Sequence, residues 1–123
     1  MLENKDYCDY ETCVALCELG MRITSRRVYS DRNTLKHSSR GITYTVRTAS
    51  AMGWVIAIPL YEAQKFLREK EIMVYPQYMT NGQTWMCLVY EEKKMLMRSI
   101  GRGSYNEVLN EGIKEAVKIL KEK

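Results

Sequence analysis

Histidine occurs once in this chain, at His37, proline only twice, and no apolar run approaches the ~18 residues that a membrane-crossing helix requires. Each scarcity excludes something. A lone histidine in "LKHSSRG" has no orienting carboxylate beside it, and nothing singles out Ser38, Ser39 or a cysteine as its nucleophile, so no triad can be read. Two prolines and seven glycines, without repeats or low-complexity tracts, leave no room for a long disordered tail. The opening "MLENKDYCDYETC" lacks the basic region and apolar run of a secretory leader, so a cytoplasmic location is expected, with no membrane partner. Cys8, Cys13, Cys17 and Cys87 are then expected as thiols.

What is present is a chain of 123 residues, 46% hydrophobic and 28% charged, which suits a single domain over 1–123 with one core. Its charge is unevenly spread. Residues 1–20 carry one lysine against five acids, whereas residues 21–47 carry Arg22, Arg26, Arg27, Arg32, Lys36, Arg40 and Arg47 against Asp31 alone. An acidic N-terminal helix within 1–20 followed by a basic connection over 21–53 is the main electrostatic feature.

In "DYETCVALCELG", Asp9 suits an N-cap, Gly20 the position just past the helix end, and Cys13, Leu16 and Cys17 one side. Turn signals at residues 30–33 and 38–41 punctuate the basic segment, where "RRVY" and "ITYTVRT" alternate as a strand or hairpin would. "GWVIAIP" reads as a short buried strand or an apolar lead-in. Pro59 then fits the start of a helix, "PLYEAQKFLREK", whose Leu60, Ala63, Phe66 and Leu67 fall on one side. "EIMVYP", "TWMCLVY" and "KMLMRSI", joined by Asn81-Gly82 and by the charged stretch 91–94, read as a meander. In "SYNEVLNEGIKEAVKIL", Tyr105, Val108, Leu109, Gly112, Ala116, Val117 and Leu120 trace a stripe, with Gly112 and Ala116 allowing close approach to a sheet. The expected fold is α+β: the N-terminal helix, a basic strand/loop segment, and then α-β-β-β-α over 59–121 with helices on one face of an antiparallel sheet.

Gly101-Arg-Gly103-Ser104 before a helix has the layout of a phosphate cradle. Ser104 and Glu107, however, form a capping box that occupies the amides an anion would need, and no lysine follows the glycines. Ordinary turn chemistry is the better account.

The helix–three strands–helix order is also that of the double-stranded-RNA-binding domain, in which a lysine cluster opening the last helix grips phosphates. Tyr105-Asn-Glu-Val-Leu109 stands at that place here, with Arg102 the nearest cation, and the first hairpin loop "PQYMTNGQ" is uncharged. The resemblance is one of topology over 59–121, without the RNA-binding residues. A second resemblance is of sequence. "YETCVALCELG", "PLYEAQKFLREKEIMVYP" with its Leu67-Arg68-Glu69 triplet, and the ending marked by Tyr105, Glu107, Gly112, Ala116 and Leu120 resemble small uncharacterised proteins encoded by phages, prophages and mobile elements of gut Bacteroidetes. Val108 replaces their alanine, and residues 21–53 have no counterpart. That group implies a genomic setting without a mechanism.

No cofactor is expected. The C-x4-C-x3-C spacing of Cys8, Cys13 and Cys17 lacks an evident fourth ligand, so small packed residues explain it better than a metal. Glu107, Glu111 and Glu115 alternate with Lys114 and Lys118 as on a solvated helix face. The favoured expectation is therefore a non-enzymatic accessory protein that binds a host or phage protein. Nine Tyr, eight Met and two Trp suit interfaces, although Trp54 and Trp85 are expected in the core. The alternative is a nucleic-acid-binding module using Arg22, Arg26, Arg27, Arg32, Lys36, Arg40, Tyr44 and Arg47, where cations and aromatics interleave. A pI near 8.9 is only moderately basic for that role. An exposed strand edge and the Tyr/Met content also admit a homodimer.

Overall fold

The structure, a computed structural model, describes residues 4–37 and 41–122. It divides into two compact units, Met1–Pro59 and Leu60–Lys123. The protein is α+β, built from antiparallel sheets and helices.

In the first unit a 3-10 turn, Asn4–Asp6, precedes helix α1, Tyr10–Glu18. Asp9 caps α1 by accepting from the Thr12 amide at 2.9 Å, and Gly20, at φ +100°, ends it. Five short strands follow: β1 (Thr24–Ser25), β2 (Arg27–Asp31), β3 (Thr34–His37), β4 (Tyr44–Thr45) and β5 (Val55–Ile56). β2 lies between β3 and β5, while β1 pairs with β4.

Side chains bonded to distant backbone hold these fragments together. The Cys8 amide donates to the Ile58 carbonyl at 2.8 Å, and the Ile58 amide donates to Cys13 Sγ at 3.3 Å. The Cys13 thiol in turn reaches the Cys8 carbonyl at 3.6 Å, and the Tyr29 hydroxyl donates to the same carbonyl in a much shorter bond. Tyr29 also stands edge-on to Tyr10 of α1, with ring centroids 5.9 Å apart. The core here is Cys8, Cys13, Leu16, Val28, Ile56 and Ile58.

Two local expectations change. Of "ITYTVRT" only Tyr44–Thr45 is strand; Val46–Ala51 is helix α2. Thr45 accepts from the Thr48 amide at 3.0 Å while the Thr48 hydroxyl accepts from the Thr45 amide at 2.8 Å, and this reciprocal cap outweighs the β-branched composition. The partner of β2 is instead Thr34–His37, across the turn at Arg32-Asn33 that Asp31 stabilises by accepting from the Asn33 amide.

The second unit runs α3 (Leu60–Glu69), β6 (Ile72–Met79), β7 (Thr84–Glu91), β8 (Leu96–Gly103) and α4 (Tyr105–Lys121), with the strands in the order β6-β7-β8. Both helices lie on one face, α4 across all three strands and α3 against β6 and α4. Gly112 is required there: a Cβ on it would stand 2.2 Å from Cys87 Sγ and 2.7 Å from Val74 Cγ1. Ser104 and Glu107 form the expected capping box.

Pro76 does not end β6, because the strand is an edge and its missing N–H faces away from β7. β8 continues through the glycines, with Gly101 at φ +74° where the register shifts, so the glycines shape a bulge. Tyr105 is 44% exposed, outside the buried stripe, and Ile119 is buried instead. Neither tryptophan is fully buried: Trp54 packs on Tyr44, and Trp85 lies between Tyr78 and Tyr105.

Candidate protein interface

Alternation along paired strands sorts the second sheet into two faces. Val74 and Cys87 meet α4, so their neighbours at odd offsets point the other way. That second face carries Met73, Tyr75, Gln77 and Met79 from β6, Thr84, Met86, Leu88 and Tyr90 from β7, and Met97 and Ser99 from β8. No acidic or basic side chain stands among these ten, and Arg102, past the Gly101 bulge, borders one end of the face beside Met79, Met86 and Ser99. No helix of this unit lies on it, and Tyr75 and Met97 are 37% and 52% exposed.

This surface follows from strands that are apolar on both sides. "EIMVY" and "TWMCLVY" are near-continuous apolar runs rather than alternating ones, a pattern that marks a sheet with two apolar faces. The runs are legible in sequence, but only the register shows that the second face is left without a helix.

The helix-side face is charged at its margin. Arg98, opposite Val89, sits 2.7 Å from Glu115 and 3.9 Å from the buried carboxylate of Glu91.

The basic residues of 21–47 are largely occupied within their own unit. Arg22 donates to the carbonyls of Met21 and Cys17 at the end of α1, Arg27 lies over the Tyr7 ring, and Arg32 pairs with Glu11. Lys36 Nζ stands 4.8 Å from the centroid of Trp54, whose ring is edge-on to Tyr44, so Lys36 and Tyr44 share one cluster. Arg26 and Arg47 are exposed, and neither is engaged in an ion pair or ring contact among the described residues. Arg40, with Ser38 and Ser39, lies outside the described residues. His37 ends β3 and is exposed.

The four cysteines are free thiols. Burial pushes Cys17 and Cys87 each up to about 11, and Cys8 is raised well above the ordinary thiol value by its Cys13 neighbour and by burial. Raised in this way, the thiols favour their protonated form at neutral pH, which disfavours nucleophilic attack. Among the described residues no group of three or more His, Cys, Asp or Glu side chains is placed to hold a metal ion. No helix among the described residues is long and apolar enough to cross a membrane. No family model matches the chain, and neither a curated protein nor a solved structure does.

Proposed function

We propose that this protein is a non-enzymatic, cytoplasmic accessory factor of the kind mobile elements encode, acting by binding a host or phage protein through the open face of the β6-β7-β8 sheet. One observation carries the reading: a sheet face mainly of Met, Tyr and Leu, with Arg102 at one end and without a helix of its own unit upon it. Exposed apolar patches of this kind mark contact surfaces, and methionine's flexible thioether adapts to a partner's shape. Affinity capture from host lysate with the wild-type chain and with Tyr75→Lys and Met97→Lys tests it. A protein retained by the wild type and lost by both folded variants supports the reading; equal capture by all three, or none, sinks it.

The second reading, nucleic-acid binding by 21–47, is favoured by the cluster of Lys36, Trp54 and Tyr44 together with exposed Arg26 and Arg47. A cation beside aromatic rings suits phosphate and base together. Anisotropy of labelled duplex and single-stranded probes at two salt concentrations decides it, since phosphate contacts weaken with salt. Silence of every probe at low salt ends this reading.

A further inference from the structure

The three-stranded sheet of the second unit has two edges, and they are treated differently. On β6 two of the outward groups are taken out of play. Proline has no N–H to give, so Pro76 sits where the backbone of β6 points away from β7, and Val74, two residues before it, points the same way. The Val74 carbonyl accepts from Gln64 Nε2 of α3. One outward donor is thus deleted and one outward acceptor covered, both recognised devices for blunting an edge.

The same alternation fixes the geometry of β8. Because Pro76 and Cys87 form a pair without mutual hydrogen bonds, Cys87 and Val89 turn their backbone groups toward β8, where they meet Ile100 and Arg98. Met97 and Ser99 therefore direct their N–H and C=O groups outward. No proline or side-chain cap stands on this edge among the described residues, and Leu96 and Met97 are 43% and 52% exposed. The bulge at Gly101 ends the regular stretch, leaving Leu96 to Ile100 as an open edge.

We propose that two copies of this chain join through β8, edge to edge and antiparallel, into one continuous six-stranded sheet. A two-fold axis at Arg98 sets Met97 opposite the partner's Ser99 and Ser99 opposite the partner's Met97, so every outward N–H and C=O of the two residues is used. The arginines that meet at the axis are each held by their own Glu115 and Glu91, which removes the like-charge obstacle. The occupant is a second copy because the β8 edge matches itself about Arg98, whose charge its own Glu115 and Glu91 offset, and one open edge beside one blunted edge ends at a dimer where two open edges would propagate into a filament. This inference rests on the strand edge and is independent of the partner assigned above to the sheet face.

Sedimentation of the purified chain tests it together with Ser99→Pro, which removes an outward N–H that the β7 ladder does not use. The expected result is a species of twice the 14.4 kDa chain mass for the wild type and half that mass for the folded variant. A monomeric wild type, a folded Ser99→Pro chain that remains dimeric, or assemblies larger than two would each overturn the proposal. Should the variant fail to fold, amide exchange in the wild type decides: Met97 and Ser99 amides protected when concentrated and released on dilution support the dimer, and any other pattern overturns it.

Discussion

The two units reach order by different means. The second is one sheet of three eight-residue strands and a seventeen-residue helix, with long stretches of repeated geometry. The first has three strands of two residues and none longer than five, so its ladders contribute little; Tyr29 and Cys13 tie its fragments to backbone elsewhere, while Asp9 and Thr45 cap its helices locally. Regular structure makes stability a matter of packing shape; irregular structure makes it a matter of individual hydrogen bonds.

Three changes probe that difference. The largest effect is expected from Gly112→Ala, because the new methyl would have to enter space held by Cys87 and Val74. A loss of about 3 kcal/mol by urea unfolding is expected, with partial recovery on adding Cys87→Ala. A loss as small as that of an ordinary exposed glycine would mean that α4 does not approach the sheet so closely.

Tyr29→Phe is the counterpart in the first unit. It keeps the ring against Tyr10 and removes only the hydroxyl that donates to the Cys8 carbonyl, so about 1 kcal/mol should go. An unchanged melting curve would show that the Cys13 thiol alone satisfies that carbonyl. The smallest effect concerns alkali. Cys17 ionises near 11 when folded against an ordinary value near 9, so its contribution is complete below pH 9 and is lost as pH rises toward 11. Cys17→Ser should lose less stability across that window in pH-dependent thermal melts; identical curves would assign the alkaline loss to other groups.

The legibility of the sequence divides along the same line. The stripe through Val108, Leu109, Gly112, Ala116 and Val117, the Asp9 and Ser104 caps and the order of the second unit follow from periodicity and local chemistry, which depend on neighbours in the chain. Helix α2 was hidden because Thr45 and Thr48 decide it against the β-branched residues around them. β3 was hidden because "TLKH" has no distinctive alternation and its pairing with β2 is settled by the turn at residues 31–34. The basic run was legible as a list of cations, but the destinations of Arg22, Arg27 and Arg32 depend on Cys17, Tyr7 and Glu11, which adjacency in sequence does not supply. The open sheet face needed the register and the side taken by α4, and neither is a local property.

Cys8 and Cys13 in the first unit and Cys87 in the second are each 0% exposed, so each unit encloses thiols of its own. A thiol reagent reaches them only when the surrounding unit opens, and the mass added at each site then records a separate opening rate under native conditions. The cysteines thereby act as internal clocks: alkylation at Cys87 times the regular sheet, alkylation at Cys8 and Cys13 times the stitched fragments, and the ratio of the two rates tells whether the chain opens in one event or in two.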